Sequence, residues 1–137
     1  MRTWAYWIPA AATMVCIAVL SHQSQLPDVP GGPPDWMLHG IEYGVLAAAC
    51  LYGASRGFDR RYRSAKAAIL ALSIAIAYGA FDELHQSFVP GRDVSLVDWI
   101  SDSVGALLVV SALVLVWNRF AGGSSSGQRQ SETEERS

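Results

Sequence analysis

The sequence contains few charged residues, and its charges are unevenly distributed. Only 16% of its 137 residues are charged, whereas 51% are hydrophobic. A soluble helical bundle of this size needs a polar face on every helix, because every helix borders water. The long stretches between the charged segments show almost no such face, which argues against a soluble protein. At this length the chain forms one domain at most.

Cysteine is scarce, and the chain has no excess of positive charge. The chain has two cysteines, Cys16 and Cys50, and both lie in apolar stretches. Disulfide frameworks and zinc sites need closer spacing or more ligands, so we interpret both cysteines as small, buried apolar residues. The formal net charge of -2 argues against nucleic acid as a partner.

Four apolar stretches have a length close to that of a membrane-spanning helix. The predicted spans cover residues 4–20, 36–54, 67–85 and 99–118. With a rise of about 1.5 Å per residue, the first would cover about 26 Å of a hydrocarbon core roughly 30 Å thick. A signal peptide is the alternative for this stretch, but no clear small-x-small cleavage site follows Leu20. We therefore predict an all-α polytopic membrane protein, with a four-helix transmembrane bundle over residues 1–120.

Lysine and arginine residues are concentrated on one side of this predicted bundle. If the N-terminus is cytoplasmic, nine of the ten basic residues lie inside and only Arg92 lies outside. Cytoplasmic loops of membrane proteins are enriched in basic residues, so this count predicts that both termini are cytoplasmic. Residues 121–137 are polar and begin with a run of glycine and serine. We predict that they form a disordered cytoplasmic tail.

Most polar residues of the spans fall at the predicted external ends of the helices. Residues three, four or seven positions apart share one face of a helix. Three helices carry polar residues at such spacings: Asp35, His39 and Glu42; Asp82, His85 and Gln86; Asp98 and Asp102, followed by Gly105. Ionisable side chains are costly in lipid, so these faces should converge on one external pocket inside the bundle. Gly105 would let the fourth helix approach a neighbour closely.

The sequence therefore supplies a set of candidate ligand-binding residues around this pocket. They are Asp35, His39, Glu42, Tyr43, Asp82, Glu83, His85, Gln86, Arg92, Asp98 and Asp102. Some of them have a simpler alternative role. Asp35 follows two prolines and could only cap the second helix, and Ser95 with Asp98 fits a capping box. His22 could lie at the membrane interface without any role.

A simpler role accounts for Arg92 more easily than for Glu42 and Asp102. Arg92 could only form an exposed ion pair with Asp82, Glu83 or Asp93, which would contribute about 0–1 kcal/mol. Glu42 and Asp102 each lie about a turn or more inside a predicted span, where a carboxylate needs a partner or a proton. The candidate partners of these two carboxylates are His39, His85 and Arg92.

Two groups of polar residues resemble the motifs of a known family. Residues 82–92 contain D-E-x-x-Q-x-F-V-P-G-R, followed by Asp98 and Gly105, and Ser21 follows the first span. Upstream, the second motif consists of Asp35, His39 and Tyr43 at intervals of four residues. Together they resemble the VanZ-like family over residues 4–118. The chain departs from the family pattern at Asp102, where an amide is common.

The resemblance implies a multi-pass protein of the bacterial inner membrane with four or so helices. The founding member of the VanZ-like family is linked to low-level resistance to the glycopeptide antibiotic teicoplanin. That link does not define a molecular activity. The residues themselves identify neither a glycopeptide ligand nor a reaction.

Three functions remain open at this stage. The first is a non-enzymatic protein that binds a lipid-linked envelope component or a glycopeptide, with the head group on Arg92 and the histidines. The second is an enzyme acting on a lipid-linked substrate, although no H-E-x-x-H motif fixes a metal. The third is a structural or small-solute transport role. The sequence identifies neither a metal nor another cofactor, and it leaves the oligomeric state open.

Overall fold

The described part of the chain is helical apart from turns and loops at the helix ends. The structure, a computed structural model, describes residues 3–22, 32–92 and 94–122. A 3-10 turn over Thr3–Trp7 leads into four α-helices: α1 (Ile8–Ser21), α2 (Asp35–Ala54), α3 (Ala65–Gln86) and α4 (Leu96–Gly122). No β-strand occurs in these described ranges. The prediction of an all-α protein is confirmed, whereas the predicted tail lies almost entirely outside the described residues.

Within the described ranges, three helical segments are long and apolar enough to cross a membrane. They are Thr3–Ser21, Ala65–Gln86 and Leu96–Arg119, and they correspond to the first, third and fourth predicted spans. α2 is not among them, because Asp35, His39 and Glu42 make its first half polar. The structure therefore supports a membrane protein, while a span formed by α2 and the cytoplasmic location of the termini stay predictions.

The helices begin where the sequence provides local start signals. Pro9 lies in the first turn of α1, where a backbone N–H is not needed. α2 begins directly after Pro34, whose backbone is extended. The Ser64 hydroxyl accepts a hydrogen bond from the Ala67 N–H at 3.2 Å and so caps α3. Ser95 caps α4 in the same way, and the predicted capping role of Ser95 is confirmed.

α2 is the central helix, and it packs against α1, α3 and α4. Its most extensive interface is with α4. A Cβ atom at Gly105 of α4 would overlap the carbonyl group of Gly40 on α2, so the two backbones touch at this point. The expectation that Gly105 permits close helix packing is confirmed, and α2 is the neighbour that approaches.

The interior and the surface of the bundle differ little in polarity away from the helix ends. Leu46, Ala47, Cys50, Ala71 and Ala75 are completely buried in the core. Large apolar side chains are also exposed on all four helices, among them Val15, Val45, Ile69 and Leu108. Apolar surfaces of this extent are unfavourable in water and favourable in lipid, which is consistent with a bilayer environment.

The two cysteines lie in different environments. Cys50 is buried in the core, as expected, but Cys16 is exposed on α1. The expectation that both are buried is wrong for Cys16, because α1 lies at the edge of the bundle and only one of its faces meets the other helices.

Candidate functional site

One end of the bundle contains a cluster of buried polar side chains. At this end α1 and α3 finish and α2 and α4 begin. We call this group the polar cluster; its members are Ser21, His39, Asp82, Glu83, Gln86 and Asp102. The structure thus brings together the polar faces of α2, α3 and α4, and α1 adds Ser21 to them.

Asp82 is held by two donors from different parts of the chain. The Ser21 hydroxyl donates to Asp82 Oδ2 at 2.7 Å, and Gln86 Nε2 donates to the same oxygen at 3.1 Å. All three side chains are buried. A buried carboxylate needs such donors, because it has lost its hydration. The Ser21–Asp82 hydrogen bond therefore fixes the end of α1 against α3.

His39 and Asp102 form a buried pair between α2 and α4. His39 Nδ1 lies 3.2 Å from Asp102 Oδ1 and can donate to it. Asp102 is 1% exposed and His39 is 8% exposed. His39 was one of the three partners expected for this carboxylate. The second oxygen, Asp102 Oδ2, has no hydrogen-bond partner among the residues that the structure describes.

Glu83 replaces part of the capping box that the sequence predicts at the start of α4. Glu83 Oε2 accepts a hydrogen bond from the Ser95 N–H at 2.7 Å. In a complete capping box, the side chain of Asp98 would take that N–H. Glu83 Oε1 is buried without a hydrogen-bond partner in the described part of the chain. One oxygen of Glu83 thus fixes the α3–α4 connection, and the other is left unbonded.

Asp35 and Arg92 lie at the outer edge of the polar cluster. Arg92 Nη1 is 3.9 Å from Asp35 Oδ2, and the Asp35 side chain is 57% exposed. Pro34 occupies the N-cap position of α2 and Asp35 is the first residue of the helix, so the simple capping role of Asp35 is not observed. The predicted partners of Arg92 were other carboxylates, of which Asp93 lies outside the described residues.

A pocket of about 190 Å³ opens beside the polar cluster. Two leucines and six polar residues line it, and the polar residues are Ser21, Asp35, His39, Glu42, Gln86 and Arg92. Glu42 is half-buried, and no hydrogen bond to its carboxylate occurs among the described residues. A water molecule occupies about 30 Å³ in the liquid, so this volume suits a small polar group or several waters. The pocket can therefore receive a head group that carries both hydrogen-bond donors and acceptors.

Three candidate residues, His85, Tyr43 and Asp98, belong neither to the pocket wall nor to the polar cluster. The His85 ring faces His22 of α1, with Nε2 and Nδ1 3.4 Å apart and ring centroids separated by 5.6 Å. This contact gives His22 a partner that the sequence did not suggest. Tyr43 is completely buried below the polar cluster, and its hydroxyl has no hydrogen-bond partner within the described segments.

Ser21 is a member of the polar cluster that the candidate set did not include. Its position fits the family pattern, but a serine at the end of an apolar helix often has no role in a site. A usable signal was present: Ser21 lies at the same predicted membrane face as all the candidate carboxylates. Its hydroxyl is the only side-chain group that links α1 to Asp82 in the described structure.

Among the side chains that the structure describes, two sets of ligand atoms in this region could hold a metal ion. His39, Glu83 and Asp102 form the inner set, which is entirely buried. Asp35, His39 and Asp98 form the outer set, in which Asp35 is exposed. Within each set, the ligand atoms lie within 4.8 Å of one another. Both sets contain His39, so one ion at a time could use this imidazole.

The comparison with known proteins agrees with the motifs. The sequence profile of the VanZ/LLP1 family matches residues 36–118, which is more than half of the chain. The match extends from the start of α2 into the second half of α4 and includes the whole polar cluster except Ser21. No curated protein and no solved structure matches the chain significantly. On the strength of the profile match and of the two motifs, the chain belongs to the VanZ/LLP1 family.

Proposed function

We propose that this protein of the bacterial cell envelope binds the polar head group of an amphiphilic envelope component. The observation that supports the proposal most is the pocket of about 190 Å³, which is lined by polar side chains from three helices and one loop. The rest of the surface is rich in exposed apolar residues. Polar pockets within membrane-spanning proteins mark sites of function far more often than they serve stability.

The charges around the pocket indicate which head groups would fit. Arg92 can form two parallel hydrogen bonds with a phosphate or carboxylate group. Glu42 and Asp35 can accept hydrogen bonds from hydroxyl, amide or ammonium groups. A lipid-linked component or a glycopeptide offers both kinds of group, and its apolar part would lie along the apolar helix surfaces. The proposal includes a role in resistance to teicoplanin, the phenotype to which the founding member of the family is linked.

Substitution of pocket residues is expected to weaken head-group binding without lowering the abundance of the protein in the membrane. In Arg92→Ala and Glu42→Gln, the lost charge-assisted hydrogen bond should weaken head-group binding by roughly tenfold to a hundredfold. The measurements are the envelope lipid retained by the purified protein, by mass spectrometry, and the teicoplanin susceptibility of cells that express it. Protein abundance in the membrane is measured in parallel.

Arg60→Ala is the matched control, because Arg60 is an exposed arginine at the opposite end of the bundle. This variant should retain the lipid and the susceptibility of the unchanged protein. If abundance falls in step with binding, the polar cluster has a structural role. Full retention of lipid by both pocket variants would contradict the proposed site.

An enzymatic function is the second candidate, and it rests on the position of His39. The imidazole lines the pocket and is paired with Asp102, so it could exchange a proton with a bound head group. Turnover of a lipid-linked precursor by the purified protein, lost in His39→Gln but kept in Arg60→Ala, would favour this candidate. Binding without turnover would favour the non-enzymatic function.

We further propose that the protein lies in the inner membrane with α2 as a second span and the polar cluster on the external side. Support comes from the ten basic residues, of which nine would then be cytoplasmic. In a variant lacking Cys16 and Cys50, a cysteine at Ser87 should react with an impermeant thiol reagent in intact cells. A cysteine at Arg60 should react only after lysis. Both positions are exposed, and the reverse labelling pattern would invert the proposed orientation.

A further inference from the structure

The polar cluster contains more buried acidic side chains than buried basic side chains. Asp82, Glu83 and Asp102 are 4%, 6% and 1% exposed. Among the described residues, His39 is the only basic side chain that is buried to a similar degree. An ionised carboxylate in a buried place needs a cation, a proton or several hydrogen-bond donors. The three carboxylates differ in how far their neighbours meet this need.

Two of the carboxylates have an oxygen that forms no hydrogen bond within the described part of the chain. Asp82 Oδ2 receives two hydrogen bonds, from Ser21 and Gln86. Glu83 Oε1 and Asp102 Oδ2 are buried and have no hydrogen-bond partner among the residues that the structure describes. Buried polar atoms are nearly always paired in native proteins, so these two oxygens need a partner, and a cation is one that could serve both.

Both of these carboxylates belong to one compact set of ligand atoms. His39, Glu83 and Asp102 come from three different helices, and each offers one ligand atom within 4.8 Å of the other two. Zinc binds imidazole nitrogen and carboxylate oxygen at about 2.0–2.2 Å, so ligands around one ion lie about 3–4 Å apart. The other oxygen of Asp102, Oδ1, is 3.2 Å from His39 Nδ1, so the imidazole and the carboxylate lie close enough to share one ion. Small movements of the side chains would complete the set.

We propose that His39, Glu83 and Asp102 bind one divalent cation of the zinc class. An imidazole ligand favours zinc over magnesium, which prefers a shell of oxygen ligands only. The outer set of Asp35, His39 and Asp98 is the less suitable one, because Asp35 is exposed and its carboxylate is satisfied by water. The inference goes beyond the proposed function: head-group binding depends on Arg92 and Glu42, which belong to neither set.

The location of this cation would connect it to the pocket. His39 is both a ligand of the inner set and a residue of the pocket wall. Three protein ligands leave one position of a tetrahedral zinc ion for water or for a ligand atom. The chemical class of that ligand is an oxygen donor, such as the phosphate or carboxylate of a head group.

The experiment measures metal binding by the full chain, purified in detergent, stripped with a chelator and given Zn²⁺ alone. After desalting, about one zinc per chain is expected by elemental mass spectrometry. Glu83→Gln and Asp102→Asn keep the side-chain shape and should each weaken zinc binding at least about tenfold. Asp98→Asn is the matched control from the outer set and should bind zinc like the unchanged protein.

Several results would overturn this inference. One is that the folded, unchanged protein binds less than a tenth of an equivalent of zinc. Another is that it binds Mg²⁺ as tightly as Zn²⁺. A third is loss of zinc in Asp98→Asn with retention in Glu83→Gln, which would assign the ion to the outer set. Should the ligand variants fail to fold, Co²⁺ is added to the unchanged protein. Visible absorption typical of tetrahedral cobalt supports the site, and the spectrum of hydrated cobalt rejects it.

Discussion

Replacement of His39 by leucine is expected to lower the free energy of unfolding by about 3–5 kcal/mol. The substitution removes the imidazole that lies 3.2 Å from Asp102 and leaves that carboxylate 1% exposed without this partner. A buried charge that loses its partner is destabilising, even where the intact pair contributes little to stability. The loss should therefore depend on the charge of Asp102.

The double variant His39→Leu, Asp102→Asn tests this dependence. Removing the charge should recover about 2 kcal/mol or more of the loss, because the asparagine amide is much less costly to bury than a carboxylate. Unfolding of the purified protein is followed in the presence of a chelator, so that no bound metal contributes. His22→Leu is the control, with an expected change of about 0.5 kcal/mol at most, since His22 is exposed. Equal stability of the single and double variants would contradict the proposed role of the buried charge.

Replacement of Gly105 by alanine is expected to destabilise the protein by about 3 kcal/mol, at the upper end of the usual range for overpacking. The new Cβ atom would overlap the carbonyl group of Gly40, which belongs to the α2 backbone and cannot rotate away. α2 and α4 would have to separate, although they form the most extensive interface between any two described helices. The separation would also move His39 away from Asp102, so the polar cluster should be disturbed together with the packing.

Gly44→Ala provides a matched control at the same helix interface. Its Cβ atom would lie 2.9 Å from a methyl group of Val109, which is the end of a side chain that can move. Both substitutions raise helix propensity by about 1 kcal/mol, so their difference reports the contact with the neighbouring helix. The unfolding midpoint and the membrane abundance are measured for both variants. If Gly105→Ala is as stable as Gly44→Ala, the backbones of α2 and α4 do not touch at this position.

The helices could be predicted well because their signals are local. The predicted spans 36–54 and 67–85 differ by at most two residues at each end from α2 (Asp35–Ala54) and α3 (Ala65–Gln86). Apolar length, prolines and capping residues act within a few positions of the chain, and tertiary contacts change them little. The start of α4 was predicted at residue 99, about a turn too late, because the Ser95 cap was treated only as an alternative.

Local signals in the sequence determined the arrangement of the polar residues only in part. Helical spacing predicted that His39, Asp82, Gln86 and Asp102 lie on faces that meet, and these four side chains are buried together, because the faces of a helix follow from its period. The spacing could not tell how each helix is rotated and shifted along its axis relative to the next. His85 was therefore a candidate for the pocket, although the packing of α1 against α3 turns it toward His22.

By itself, the sequence determined the helical class, the apolar segments, the polar faces of the helices, and the family. Only the tertiary structure decided which donor meets which carboxylate: His39 with Asp102, Ser21 with Asp82, and the Ser95 N–H with Glu83. These pairs join residues that are distant in the chain or lie on different helices. The His39–Asp102 pair lies between α2 and α4, whose backbones touch at Gly40 and Gly105. The other two pairs join α1 to α3 and α3 to the start of α4, so each pair depends on how two elements are placed relative to each other.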